Sequence, residues 1–146
     1  MYRNILIATD GSKTALKAAS HGINIAKSYG AKVFALNVID FKAFSKVPKD
    51  STWSKMYEQL NVTSLEMLSY VEGLGKVAGV VVEKVVLEGN PAQVIVNFAS
   101  ENSIDLIVMG TVGLTGWKHT LLGSVAEKVV RTSTCPVTVV PMGRII

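Results

Sequence analysis

The residues in this chain best placed for chemistry act through their backbone. They form the run GTVGLTGWKHTLLGSV, from Gly110 to Val125, with glycines at 110, 113, 116 and 123. The run begins at the end of DLIVMG, a short apolar stretch that reads as a strand. Glycine in an ordered loop is entropically costly, so this density marks a tight turn or a close approach of main chain to a ligand. Ser124-Val125-Ala126-Glu127 matches a capping box, with serine at the N-cap and glutamate three residues on. A helix is therefore expected to begin beside Gly123. Its first amides lack partners inside the helix, and such an end behind a glycine-rich loop suits a phosphate. The helix dipole alone contributes about 0.3–1 kcal/mol, or about 2 when partly buried, whereas micromolar affinity needs roughly 8 kcal/mol. Several amide bonds to a charged oxygen, at about 1.5–3 kcal/mol each, together with a buried base, make up the difference.

A second cluster, Asp10-Gly11-Ser12, follows the first apolar run. Asp10 reads either as a cap for the next helix or as an acidic site group. Ser12 reads as a cap or turn former, or as a ligand contact. Lys118 and His119 read as solvated loop residues or as phosphate contacts, and Trp117 as a packing or partner residue. His21 reads as a surface or packing residue and Cys135 as a small core residue. No Cys/His spacing suggests zinc. The chain lacks G-x-x-x-x-G-K-[ST], so it is no ordinary P-loop ATPase. The loop holds no obvious pair of base and nucleophile.

The elements that position these residues alternate. NILIAT (Asn4 to Thr9), KVFALNVI (Lys32 to Ile39), VVVEKVVLE (Val80 to Glu88), DLIVMG (105 to 110) and PVTVV (Pro136 to Val140) read as strands. Between them, helical spacing runs from Ala15 to Tyr29 with Gly30 as a stop, from Met56 to Ala78, from Pro91 to Ala99 with Asn90 as N-cap, and from about Val125 to Thr132. Residues 40–53 read as irregular, a lid or partner surface. The pattern βαβαβαβαβ implies an α/β domain with a mainly parallel sheet covered on both faces. Right-handed crossovers leave spatial orders 3-2-1-4-5 and 2-1-3-4-5. Either binds ligands beyond the carboxyl ends of the strands where the winding reverses. In the first order the reversal brings Asp10-Gly11-Ser12 and the glycine loop to one crevice.

Composition excludes several classes. With 49% hydrophobic and 18% charged residues the chain is globular. Its 146 residues fit one domain. Fifteen Lys and Arg against eleven Asp and Glu are scattered, which argues against a nucleic-acid partner. The apolar runs are too short to span a membrane. Ile5 to Ala8 meets Asp10 before any secretory core can form. The single cysteine excludes an internal disulfide. A cytoplasmic location is expected.

The spacing Gly110-x2-Gly113-x9-Gly123-Ser124 resembles the nucleotide-binding signature of the universal stress proteins. The resemblance covers the whole chain and includes ILIATDGS, NVID, EGNPAQVIV, DLIVMGTVG and CPVTVVP. It implies a single flavodoxin-like (Rossmann-like) domain over residues 1–146, with five parallel strands in order 3-2-1-4-5. It also implies a homodimer, formed through strand five (Pro136 to Val140), and places the chain in the branch that binds ATP. Carried onto this sequence, Asp10 lies near the ribose or a phosphate-bound magnesium or manganese ion, and is the metal residue. The backbone of Val38 meets adenine. Met109 and Gly110 begin the turn toward the sugar, and Ala8 and Thr111 are counted with the nucleotide-binding residues. Gly113, Gly123, Ser124 and Val125 hold phosphate. Two positions depart from the family: Ala8 replaces a frequent proline, and Val112 replaces a frequent basic residue.

The function expected is an ATP-binding signalling or stress-response switch with an unidentified protein partner and little or no unaided hydrolysis. The alternative is a slow ATP hydrolase or nucleotide-transferring enzyme that needs a partner. A flavin carrier would place its phosphate loop after strand one instead. A structural dimer with a vestigial pocket would bind no nucleotide.

Overall fold

A computed structural model describes residues 1–112 and 122–142. Five strands, β1 (Asn4–Ala8), β2 (Lys32–Ile39), β3 (Val82–Glu88), β4 (Leu106–Gly110) and β5 (Val137–Val140), form one parallel sheet in the order β3-β2-β1-β4-β5. The helices α1 (Lys13–Tyr29), α2 (Ser51–Ala78), α3 (Pro91–Glu101) and α4 (Ser124–Thr132) cover its two faces. Of the two orders open to the sequence pattern, the one with β1 and β4 adjacent is therefore the one adopted.

The central strand shows why. Ile5, Leu6 and Ile7 are fully buried, and successive side chains point to opposite faces. Ile5 and Ile7 pack with Ala18, Ile23, Leu68 and Val71 of α1 and α2. Leu6 and Ala8 pack with Ile95, Phe98, Ala126 and Val129 of α3 and α4. A continuous apolar run is what a strand buried on both faces requires.

Element ends follow local chemistry. Gly30 and Gly79 close α1 and α2 in the left-handed conformation, at φ 65° and 74°. Asn90 caps α3 with Pro91 in its first turn, as the sequence indicates. β1 stops at Ala8, one residue early, because the chain turns at Thr9. β3 begins at Val82 instead of Val80, since the Val80 N–H is spent closing the end of α2 on Gly75 O at 2.8 Å. β5 begins at Val137 instead of Pro136, whose nitrogen has no proton to donate. The segment 40–53 is not irregular. A 3-10 turn spans Phe41–Phe44, and α2 begins at Ser51, capped by Asp50 Oδ1 accepting from Thr52 N–H at 2.8 Å. The two sheet edges differ. β3 carries exposed Glu83 and Lys84, paired with Lys32 at 3.7 Å and Glu72 at 3.4 Å, while β5 presents valines.

Candidate functional site

β1 and β4 lie side by side, and the chain leaves their carboxyl ends in opposite directions, to α1 and to α4. The turn after β1 is tied by its own side chains. Gly11 N–H donates to Thr9 Oγ1 at 3.2 Å, and Ser12 N–H donates to Asp10 Oδ1 at 2.9 Å. Gly11 has φ +79°, and a β-carbon there would come within 3.1 Å of Met67 on α2. The positive φ calls for glycine, and the Met67 side chain would have to shift to admit anything larger. Ser12 is buried and accepts from Ala15 N–H at 3.2 Å, so the cap reading is the one it fulfils. Asp10 does not cap α1 itself. Its carboxylate closes the turn, half-buried at the end of β1.

At the end of β4, Gly110 packs against the first turn of α1. A β-carbon at 110 would sit 2.8 Å from Thr14 Oγ1 and 3.0 Å from the Thr14 main chain. The Thr14 hydroxyl donates to the Val112 carbonyl. Thr111 N–H donates to Val140 O at 3.1 Å, and Gly123 N–H donates to Thr111 O. The two stems of the glycine run are thus bonded to each other above β4. Gly113, Trp117, Lys118 and His119 lie outside the described residues.

The start of α4 differs from the capping-box expectation. Gly123, with φ −68° and ψ 164°, is the N-cap, and Ser124 is the first helical residue. That extended backbone suits any residue, so conformation alone does not call for glycine at 123. Gly123 has no side chain to cap this helix end, and Ser124 is exposed. Shifted by one residue, Glu127 no longer reaches back to the cap. It pairs with Arg131 at 3.0 Å, and its N–H closes the first helical turn on Gly123 O at 2.9 Å. The uncapped amides of a helix start are outward-pointing donors.

Four other expected residues turn their side chains to the core. Ala8 and Met109 are buried, with side chains in the α3/α4 core. Val125 is half-buried against the same core. Val38, near the end of β2, pairs with Leu87 and leans on that core as well. Cys135 is half-buried at its margin, not within it. His21 is exposed on α1. Among the described residues, no group of three or more His, Cys, Asp and Glu could hold a metal.

Sequence reading missed a buried polar chain behind the site. Asn37 Nδ2 donates to Thr9 O at 2.8 Å, and Ser64 Oγ donates to Asn37 Oδ1 at 2.6 Å. The available signal was a lone asparagine inside the apolar run VFALNVI. Farther out, beyond β2 and β3, Phe41 stacks on Tyr57 at 5.4 Å. The Tyr57 hydroxyl donates to Glu88 at 2.6 Å, and that carboxylate raises the Tyr57 pKa.

The model of the universal stress protein family matches residues 1–141. Universal stress protein MJ0531 of Methanocaldococcus jannaschii is 45% identical over 96% of this chain and 82% of its own length. Universal stress protein YxiE of Bacillus subtilis is 31% identical over 96% of this chain and 99% of its own. Among solved structures, the hypothetical protein MJ0577 superposes with a TM-score of 0.86 at 30% identity, covering 99% of both chains. A universal stress protein in complex with cAMP superposes with a TM-score of 0.74 at 27% identity, over 97% of this chain and 98% of the other.

Proposed function

The chain belongs to the universal stress protein family, and from that premise we propose that it is a homodimeric switch that binds ATP between the ends of β1 and β4. The carrying observation is the start of α4. Gly123 leaves it without a side-chain cap and bonds it to Thr111 at the mouth of β4, beside the Asp10 turn. A donor set of main-chain amides with no competing cap fits a phosphate. The neighbour in complex with cAMP supports an adenine nucleotide as the ligand class.

In this reading the amides of Gly113, Gly123, Ser124 and Val125 hold the phosphates, with the Ser124 hydroxyl added. The Val38 main chain meets the base. Ala8, Met109, Gly110 and Thr111 line the sugar. Asp10 meets the ribose hydroxyls or a magnesium or manganese ion bound with the phosphates. Such an ion would screen phosphate charge.

Hydrolysis is slow without a partner. No arginine stands between Gly110 and Val125, and Arg131 is engaged by Glu127. The test is identification of the nucleotide that copurifies, followed by calorimetry with ATP, AMP and cAMP. Binding of ATP in preference to the others supports the proposal. Absence of binding to all three overturns it in favour of a structural dimer.

A further inference from the structure

We propose that Asn37 and Ser64 are a buried positioning pair that sets the turn carrying Asp10, and thereby tunes nucleotide affinity from outside the site. The affinity half rests on the ATP-binding reading above. The geometric half does not.

Val33 and Ala35 of β2 face the α1/α2 core and are fully buried. Asn37, two residues on along the same face, is only 6% exposed. An apolar residue would continue the pattern at no desolvation cost. The amide needs both its ends satisfied. One end meets Thr9 O at 2.8 Å, and the other accepts from Ser64 Oγ at 2.6 Å. A carbonyl can only accept, so the nitrogen of the amide must face Thr9. The Ser64 hydroxyl, itself 2% exposed, locks that orientation from the far side.

The bond falls where the sheet stops holding the chain. Thr9 N–H still donates to Leu36 O at 3.0 Å, as in a parallel ladder. The Thr9 carbonyl then turns to a side chain. This carbonyl belongs to the peptide unit that leads into Asp10, so its direction sets where the carboxylate emerges. α2 touches the same turn a second time. Met67, three residues after Ser64, packs against Gly11. One helix thus supports the turn through Asn37 and through a thioether.

The test compares Ser64→Ala and Asn37→Leu with Val71→Ala, a fully buried α2 position that serves packing alone. Amide hydrogen exchange at Gly11 and Ser12 is measured against Val108 in β4, beside ATP calorimetry. For Ser64→Ala and Asn37→Leu, exchange at Gly11 and Ser12 rises on the order of tenfold beyond any change at Val108, and ATP affinity falls by a similar factor. Val71→Ala moves all three amides together and leaves affinity within about twofold. Equal acceleration at all three amides in Ser64→Ala overturns the positioning role. Selective acceleration with unchanged affinity overturns the tuning. If the parent protein binds no ATP, the proposed function and the tuning fall together, while the exchange data still decide the positioning. Ser64→Ala removes one oxygen only, so it reads out even if Asn37→Leu fails to fold.

Discussion

At the scale of single residues, Gly123 carries two roles that a substitution can separate. It is the N-cap of α4, where aspartate is favoured over glycine by a few tenths of a kcal/mol, and it leaves the helix start open. Gly123→Asp should therefore hold or slightly raise the melting temperature. It should also abolish ATP binding, because a carboxylate takes the amides and repels phosphate. Thermal unfolding beside calorimetry checks both, and retained ATP affinity would remove the phosphate site from the start of α4. An arginine on the transferring group is worth about 10³–10⁵ in rate, and none lies between Gly110 and Val125. ATP should persist on the pure protein with magnesium present. Steady multiple turnover, lost in Asp10→Ala, would make this chain an enzyme.

At the scale of elements, small polar devices fix the start of α1 and the entries of β1 and β4. Ser12 caps α1 between the two halves of the site, and Ser12→Ala should cost about 1 kcal/mol in denaturant unfolding. At the opposite end of the sheet, Asp105 accepts from Arg3 N–H at 2.8 Å and Asn4 N–H at 2.9 Å, binding the entry of β4 to that of β1. Those two bonds hold its carboxyl below the ordinary range. A depressed folded value means stability that is complete above the unfolded value of about 3.9 and is lost as pH falls through the folded one. Asp105→Asn should be less stable than the parent at neutral pH, and the two should converge in acid. A constant difference across a pH series of unfolding curves would rule this out. These devices also explain what could be read in advance. The α/β alternation was legible because apolar runs and helical periods alternate, but that pattern left two strand orders open, and only the family resemblance pointed to β3-β2-β1-β4-β5. The start of α2 was not. Its first turns, from Ser51 to Glu58, are largely exposed, so no apolar period marks them, and only the Asp50 cap does. The start of α4 was misread by one residue because serine outranks glycine as a cap in isolation. The bond from Gly123 N–H to Thr111 O, which is tertiary, holds position 123 outside the helix as its cap. The Asn37–Ser64 bond joins residues 27 apart in the chain, and no local pattern encodes it.

At the scale of the whole molecule, the sheet has one guarded edge and one open one. β3 carries charges, as an edge that must stay solvated does. β5 carries valines. Val140 is 4% exposed within the α1/α2 core, while Val137 and Val139 are half-buried against the α3/α4 side. Ile107 N–H donates to Pro136 O, and Thr111 N–H donates to Val140 O. Main-chain groups of alternate residues point to opposite edges, so those of Val137 and Val139 face outward. Two copies meeting about a two-fold axis would satisfy them, and closed two-fold dimers are the commonest assembly. Val139→Pro removes one outward N–H and leaves the ladder to β4 intact, since proline is tolerated at a sheet edge. The parent should sediment as a dimer at micromolar concentration. Val139→Pro should sediment as a monomer with an unchanged far-ultraviolet circular dichroism spectrum. A monomeric parent, or a variant that stays dimeric, would place the interface elsewhere and leave the β5 edge to another partner.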